Sequence, residues 1–208
     1  MALVKICGIT NAEDALAAAE AGADLLGFNF YARSPRHVSP RDARLIAEGL
    51  PAGVARVGVF VNEGEPEAVL RAVSESGVGA AQLHGDETPE FCARLGGVSV
   101  VKALRVGPGF SVERALLYKT DALLLDAHVE GAWGGTGQTF DWAVARRVRE
   151  AVPKLFLAGG LTPENVAGAV RAVRPFAVDV CSGVETSPGR KSFRLMRRFV
   201  EAVRAAEG

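Results

Sequence analysis

Residues 155–189, LFLAGGLTPENVAGAVRAVRPFAVDVCSGVETSPG, contain two successive strand-to-helix units in which glycine follows each strand. The first strand ends at Gly159-Gly160, and a helix is predicted to begin at Thr162-Pro163. The second strand ends at Ser182-Gly183 and leads into a polar loop. Glycine lets the backbone approach an anion closely, and the N–H groups at a helix start favour a phosphate. One Gly-Gly pair alone is an ordinary tight turn, but two such ends in successive units predict a phosphate-binding site.

The alternation of strand and helix continues along the whole chain. Most strands are continuous apolar runs, which is typical of a parallel sheet covered by helices. Eight units of about 25 residues predict one α/β domain over residues 1–208, a closed (β/α)8 barrel of the TIM type. An open doubly wound sheet is the alternative, although no GxGxxG follows the first strand. The predicted strands are Val4–Cys7, Leu25–Phe30, Arg56–Val61, Ala80–His84, Val98–Leu104, Ala122–Asp126, Leu155–Leu157 and Ala177–Cys181.

The composition excludes several classes of protein. The chain has 208 residues, of which 49% are hydrophobic and 23% charged, and a formal net charge of zero, so no nucleic-acid partner is expected. No apolar run is long enough for a membrane span or a signal peptide, which predicts no membrane partner and a cytoplasmic location. The cysteines Cys7, Cys92 and Cys181 are odd in number and lack C-x-x-C spacing, so free thiols are predicted.

Polar residues near the strand ends are the candidates for chemistry, because TIM-barrel active sites lie at the C-terminal ends of the strands. Side chains two apart on a strand share a face. Since the outer face must meet helices, the polar strand residues are predicted to point into the barrel. For the two lysines among them, an ion-pair layer below the active site and catalysis both stay open. These residues are Lys5, Cys7, Gln82, His84, Lys102, Asp126, Asp179 and Cys181.

Cys7 and Asp126 stand at or near the ends of the first and sixth strands. A strand cysteine is often only a small buried hydrophobe, whereas an aspartate that ends the run LLLD needs partners for its charge. A zinc site is a further alternative, because His84, Asp179 and Cys181 could join these two residues. However, no single element carries paired ligands, and the sequence predicts no metal.

A series of motifs runs along the whole chain: VKICGIT, GFNFYARSPRHVS, VGVFVN, QLHG, LLLDA, GGTGQTFDW, LAGGLTPENV and VDVCSGVE. In this order they resemble the motifs of phosphoribosylanthranilate isomerases, a family of tryptophan biosynthesis. KICGIT with SPR and GGTG in register is specific to that family, whereas any phosphate-binding barrel could supply the glycine-bearing ends alone. One departure is GRKSF, where the family commonly has aspartate after the lysine; Ser192 is predicted to cap the last helix instead.

The resemblance implies an Amadori rearrangement of an aminoaldose phosphate to an aminoketose phosphate, without cofactor or metal. In the matching roles, Asp126 is the general acid that protonates the furanose ring oxygen and opens the ring to a Schiff base. Cys7 is the general base that removes the proton from the neighbouring sugar carbon. The resulting enolamine then tautomerises to the ketone.

The resemblance also implies how the small-molecule substrate is held. Arg36 matches the cation that binds the anthranilate carboxylate, while His84 and Asp179 match pocket positions in roles left open. The phosphate is expected on the N–H groups of Gly160, Ser182 and Gly183, under a loop that contains Gly135, Thr136 and Gly137.

Two other functions stay open alongside the isomerase. One is another sugar-phosphate lyase or epimerase, which would use a metal or a Schiff-base lysine, either Lys5 or Lys102. The other is a silent barrel that only binds anions. The sequence does not distinguish a monomer from a homodimer.

Overall fold

The structure, a computed structural model, describes residues 1–127 and 140–206. Eight parallel strands pair in the order β1-β2-β3-β4-β5-β6-β7-β8 and close into a barrel, which confirms the predicted fold class. The strands are β1 (Leu3–Cys7), β2 (Leu25–Asn29), β3 (Ala55–Phe60), β4 (Ala80–Leu83), β5 (Ser99–Val106), β6 (Ala122–Ala127), β7 (Leu155–Leu157) and β8 (Ala177–Val180).

Helices connect successive strands and surround the barrel. They are α1 (Ala12–Glu20), α2 (Pro40–Ala47), α3 (Pro66–Ser76), α4 (Pro89–Ala93), α5 (Val112–Ala115), α6 (Trp142–Ala151), α7 (Val166–Val173) and α8 (Phe193–Ala205). Asparagine, serine, threonine or aspartate side chains cap most of them, and Ser192 accepts a hydrogen bond from the Leu195 N–H at the start of α8. Within the described ranges, every helix is too short or too polar to cross a bilayer.

Alternation along the strands produces two apolar layers. Val101, Leu124 and Phe156 belong to a small cluster inside the barrel, while Phe28 and Phe199 belong to the larger cluster between barrel and helices. Inward positions near the C-terminal ends of the strands carry polar residues instead. The barrel interior is therefore apolar at its base and polar where the strands end.

The prediction that Lys102 points into the barrel is wrong, because its side chain points away from the barrel interior. Its neighbours Val101 and Ala103 face inward, so alternation directs Lys102 toward the helices. There its ammonium donates to the carbonyl of Gly85 at 2.7 Å and to the carboxylate of Glu87 at 2.6 Å. The outer layer can thus hold a charge when a loop supplies acceptors.

The start of α7 is a second correction. The helix begins at Val166 and not at Thr162-Pro163, because the intervening residues form a turn. The Asn165 side chain accepts from the Thr162 N–H at 2.8 Å and donates to the Gly160 carbonyl at 2.9 Å. These local bonds compete with helix formation and fix the loop that follows β7.

The segment after β8 was predicted as a polar loop and has more structure than that. A 3₁₀ turn over Ser182–Val184 leads into the antiparallel strands β9 (Glu185–Ser187) and β10 (Arg190–Lys191). The hairpin is tied to the start of the chain, since Thr10 donates to the Gly189 carbonyl at 2.6 Å and Asp14 accepts from the Lys191 N–H at 2.9 Å. It therefore holds Glu185 and Lys191 beside the end of the barrel.

Candidate active site

A cavity of about 400 Å³ opens at the C-terminal ends of the strands, and its size suits a small-molecule ligand. It brings together all the described residues to which the family resemblance gives a catalytic or substrate-binding role. Gly135, Thr136 and Gly137 lie outside the described residues. The predicted residues that line the cavity are Cys7, Arg36, His84, Asp126, Gly160, Asp179, Ser182 and Gly183.

Cys7 ends β1 and is buried beside a second free thiol, that of Cys181. The neighbouring thiol of Cys181 and the nearby ammonium of Lys5 hold the pKa of the Cys7 thiol well below its ordinary value, although burial alone would raise it. The pKa of the Cys181 thiol is raised well above its ordinary value, because Cys7 lies beside it and because it is buried. Cys7 is therefore the thiol of this pair that is suited to accept a proton.

Asp126 lies near the end of β6, and its carboxylate is fixed from two sides. The N–H of Ala127 donates to Oδ1 at 2.8 Å, and Nε2 of His84 lies 3.2 Å from Oδ2. The amide Nε2 of Gln82 lies 2.8 Å from Nδ1 of His84, so with this amide donating, the imidazole proton is on Nε2 and points at Asp126. Gly159 packs so close that an added Cβ would come 2.7 Å from the Ala127 nitrogen.

Asp179 on β8 joins the cavity to a charged layer beneath it. Nζ of Lys5 donates to its Oδ1 at 2.9 Å, and Lys5 is fully buried. Burial raises the pKa of Asp179 to about 7 in spite of this bond. Burial opposes the charge of Lys5, but Asp179 and Cys7 together raise the Lys5 pKa above its ordinary value. Lys5 is therefore an ammonium paired with Asp179, as the ion-pair alternative proposed.

Arg36 follows β2 and reaches the cavity with its guanidinium held by Glu185. Nε and Nη2 donate to the two carboxylate oxygens of Glu185 at 2.9 Å and 2.7 Å, and Nζ of Lys191 donates to Oε1 at 2.8 Å. Burial alone would raise the pKa of Glu185, but its bonds with Arg36 and Lys191 lower it. Among the described residues, none accepts a hydrogen bond from Nη1 of Arg36, so this edge of the guanidinium can bind a carboxylate.

The glycine-bearing ends of β7 and β8 face the cavity from one side. In the described part of the chain, no group accepts a hydrogen bond from the N–H of Gly160, Ser182 or Gly183. Gly183 has no room for a side chain, because an added Cβ would clash with the carbonyl oxygen of Leu161. Three N–H groups without protein acceptors, beside a close backbone contact, are a suitable site for phosphate oxygens.

Acidic side chains, cysteines and histidines are the potential metal ligands in the part of the chain that the structure describes. Within residues 1–127 and 140–206, no three His, Cys, Asp or Glu side chains are placed to coordinate one ion. Cys7 and Asp126 thus face one cavity, together with main-chain amides that have no acceptor among the described residues and the guanidinium of Arg36.

A family model described as N-(5'-phosphoribosyl)anthranilate (PRA) isomerase matches residues 4–202. The chain belongs to this isomerase family. The predicted resemblance is therefore confirmed, and it extends over nearly the whole chain. This membership makes the chain an isomerase of the family's step in tryptophan biosynthesis.

Relatives in the isomerase family match over their full lengths. The N-(5'-phosphoribosyl)anthranilate isomerase of Rubrobacter xylanophilus is 52% identical over 208 residues, covering 99% of this chain and 100% of its own. A crystal structure of the Thermotoga maritima isomerase matches at a TM-score of 0.92 and 47% identity, over 99% of this chain and 100% of that chain. A further solved isomerase, in complex with reduced 1-(o-carboxyphenylamino)-1-deoxyribulose 5-phosphate, matches at a TM-score of 0.88 and 46% identity, with the same coverage.

Two residues of this isomerase site, Glu185 and Lys191, have no role in the sequence analysis, and Cys181 appears there only as an inward-facing residue and a possible zinc ligand. Cys181 shares a strand face with Asp179, so alternation alone could place it beside Cys7. Glu185 lies within the motif VDVCSGVE but beyond the predicted strand. No sequence pattern around Lys191 indicates that it belongs to the site, because it reaches Glu185 through a hairpin that apolar periodicity does not reveal.

Proposed function

We propose that the chain rearranges N-(5-phosphoribosyl)anthranilate to 1-(2-carboxyphenylamino)-1-deoxyribulose 5-phosphate, with Asp126 as general acid and Cys7 as general base. The observation that carries the proposal is that both side chains face one cavity, although they come from β6 and β1. Only β7 and β8 lie between these strands on the shorter way round the barrel. A sugar ring in the cavity can therefore be reached by an acid and a base at once.

The chemical steps need only these two groups. Asp126 gives its proton to the furanose ring oxygen, the bond from that oxygen to C1 breaks, and the anthranilate nitrogen forms a protonated Schiff base with C1. The Cys7 thiolate then takes the proton from C2, and the electrons of that bond form the C1–C2 double bond of the enolamine. The enol loses its hydroxyl proton, C1 gains one, and the aminoketose results. Exchange with solvent returns a proton to Asp126 and removes one from Cys7.

The surroundings of Cys7 support its role as base. Burial alone would keep a thiol protonated, but Lys5 below it and Cys181 beside it stabilise the thiolate. General acid-base groups typically contribute about 10² to 10⁴ in rate each. The donors around Cys7 therefore make the base available near neutral pH.

The two anionic ends of the substrate orient it. The N–H groups of Gly160, Ser182 and Gly183 would hold the phosphate, and the open edge of Arg36 would hold the anthranilate carboxylate. Glu185 occupies the other edge of the guanidinium and so fixes the plane in which the carboxylate must bind. The ligand named for the solved relative has a phosphate and an aryl carboxylate at its two ends, which supports this assignment.

The ion pairs of Lys5 and Lys102 argue against the alternative function, a lyase that uses a Schiff-base lysine. A Schiff base needs a neutral amine, yet Lys5 is held as an ammonium by Asp179. Lys102 faces the helices and binds Glu87 outside the barrel. Neither lysine proposed for that mechanism can therefore attack a substrate carbonyl in the cavity.

We further propose a cytoplasmic location, which the sequence predicts, and a monomer or homodimer. A solved Thermotoga maritima relative is described as a monomeric form of a dimeric isomerase, which supports testing for a dimer. Sedimentation of the purified chain at several concentrations would distinguish the two assemblies.

Turnover is the direct test of the proposed function. Metal-stripped protein is incubated with phosphoribosylanthranilate, and the loss of substrate fluorescence is followed together with the appearance of the aminoketose. We expect turnover that added chelator does not change. Absence of turnover by folded protein would indicate a silent anion-binding barrel, and dependence on added metal would indicate a different mechanism.

A further inference from the structure

We propose that Cys181 is a positioning residue for the reaction: its thiol donates a hydrogen bond to the sulfur of Cys7 and thereby keeps Cys7 in the form that accepts the substrate proton. This inference rests on the proposed role of Cys7 as general base. It assigns a specific donor role, with its own test, to a cysteine that takes no part in the proton transfers described above.

The register of two neighbouring strands places the thiols side by side. Lys5 of β1 lies opposite Asp179 of β8, and Ile6 lies opposite Val180. Continued by one residue along both strands, this register places Cys7 opposite Cys181. Neighbouring strands of a sheet are about 4.8 Å apart. Both thiols are free and both line the cavity. Their proximity is thus set by the barrel itself and not by a loop.

The surrounding charges decide which thiol keeps the proton. Lys191 lies 3.8 Å from the sulfur of Cys181, but its ammonium is already bound to the carboxylate of Glu185 at 2.8 Å. The ammonium of Lys5 lies close to Cys7, and its own partner Asp179 has a pKa raised to about 7 by burial, so that carboxyl is partly protonated at neutral pH. The positive charge beside Cys7 is therefore less compensated than the charge beside Cys181.

Substrate binding is expected to increase the difference in uncompensated positive charge between the two thiols. The guanidinium of Arg36 interacts with both thiols, more strongly with Cys181 than with Cys7, and the substrate carboxylate would neutralise its charge in the bound state. No substrate group of opposite charge is expected at Lys5, which is buried below the cavity. Among the described residues, the charged and titratable groups around the thiol pair include Lys5, Arg36, Asp179, Glu185 and Lys191.

The expected effect of Cys181 is on the pH at which Cys7 loses its proton. A hydrogen bond to a charged group is strong enough to move that pH by about one unit when it is removed. Cys181→Ala deletes the donor, whereas Cys181→Ser keeps a donor of similar size. The two variants form a matched pair that separates hydrogen bonding from packing.

The test measures alkylation of Cys7 by iodoacetamide as a function of pH, read on the Cys7 peptide by mass spectrometry, in wild type and both variants without substrate. We expect the midpoint to rise by about one unit in Cys181→Ala and to stay near the wild-type value in Cys181→Ser. The pH profile of kcat/KM should follow, with about a tenfold loss near pH 6 in Cys181→Ala that is recovered at alkaline pH.

An unchanged alkylation midpoint in Cys181→Ala would overturn the inference, and so would an equal shift in both variants. Thermal melting of each variant confirms that the barrel is folded. Because alkylation is read without substrate, this outcome is independent of whether Cys7 is the base. Loss of the proposed function would instead appear as full turnover in Cys7→Ala.

Discussion

Asp126 and Cys7 differ in how tightly their surroundings hold them. The carboxylate of Asp126 has the Ala127 N–H on one oxygen and His84 on the other, so its orientation is fixed before a substrate arrives. Cys7 is fixed in position by the strand but is controlled through charge, by Lys5 and Cys181. Hydrogen bonds thus fix the orientation of Asp126, whereas neighbouring groups set the protonation of Cys7.

Asp126→Asn is expected to lower kcat by about 10² to 10⁴, because the amide keeps the shape and most contacts of the carboxyl but cannot protonate the ring oxygen. KM should change little, since the anionic ends of the substrate bind elsewhere. Steady-state fluorescence kinetics measure both constants. Wild-type kcat in this variant would remove Asp126 from the mechanism.

Arg36→Ala is expected to raise KM more than it lowers kcat, by about 10-fold or more, because it removes charge-assisted bonds to the substrate carboxylate. Glu185→Gln is the companion variant: it keeps Arg36 but weakens the pair that orients it, so its KM should rise less. An unchanged KM in Arg36→Ala would contradict the carboxylate role.

The sequence predicts the candidate catalytic residues at strand ends better than it predicts the ion-pair partners of site residues. Cys7 and Asp126 follow from the position of polar residues at the ends of apolar strands. The partner of Arg36 does not, because Glu185 is 149 residues away and approaches through a hairpin. Lys102 was placed on the wrong face because its acceptors, Gly85 and Glu87, belong to a loop that only the fold brings there.

At the level of elements, the ends of β7 and β8 form one anion site because their loops pack directly on each other. Gly183 of the 3₁₀ turn lies against the Leu161 carbonyl, and Asn165 holds the preceding loop through Gly160 and Thr162. The site therefore depends on backbone positions rather than on a charged side chain. This is why the glycine pattern in the sequence could indicate it.

Gly183→Ala is expected to weaken phosphate binding, because the added methyl group would clash with the Leu161 carbonyl and displace the turn that carries the N–H groups. KM and the inhibition constant of inorganic phosphate should both rise about 10-fold or more. Gly64→Ala is the control, since nothing lies within 4 Å of a Cβ there. Equal phosphate inhibition in the two variants would argue against the proposed anion site.

Short elements were the least predictable. The strands of the barrel are apolar runs, and Leu155–Leu157 was predicted with the bounds that the structure shows. The hairpin β9–β10 is held by Glu185, Lys191 and contacts with Thr10 and Asp14, which are ionic and distant in sequence. Periodicity reports burial, so it misses a hairpin that polar bonds hold together.

For the whole molecule, the barrel carries buried charge as part of its architecture. The pairs Lys5–Asp179 and Lys102–Glu87 are both almost fully buried, one inside the barrel and one outside. Such pairs are costly unless each charge finds its partner, so they favour this one arrangement of strands and loops. A single domain over residues 1–208 stays a prediction from the sequence.

Asp179 gives the molecule a specific dependence of stability on pH. Its pKa is raised to about 7 in the folded state, above the value of about 3.9 expected in the unfolded chain. Between these values the folded state binds the extra proton, so stability falls as the pH rises from about 4 to about 7. The stabilisation is fully present below about pH 4 and is lost as the pH passes through about 7.

Asp179→Asn removes this titration while keeping the size of the side chain. Urea unfolding at several pH values measures the free energy of unfolding of both proteins. Between about pH 4 and pH 8, this free energy should fall by a few kcal/mol more in the wild type than in the variant. Loss of the Lys5 ion pair shifts the variant's stability at every pH in this range, so the slope is the informative quantity. Parallel curves for the two proteins would mean that Asp179 is ionised throughout.

The central claim is that a thiolate and a carboxyl group act on one substrate in one cavity, and Cys7→Ala tests it most directly against Cys92→Ala. Cys92 is also a buried free thiol, but it lies outside the cavity and burial raises its pKa to about 11. We predict that Cys7→Ala loses about 10² to 10⁴ in kcat with KM and folding nearly unchanged, while Cys92→Ala keeps wild-type turnover. Equal turnover in the two variants would contradict the account.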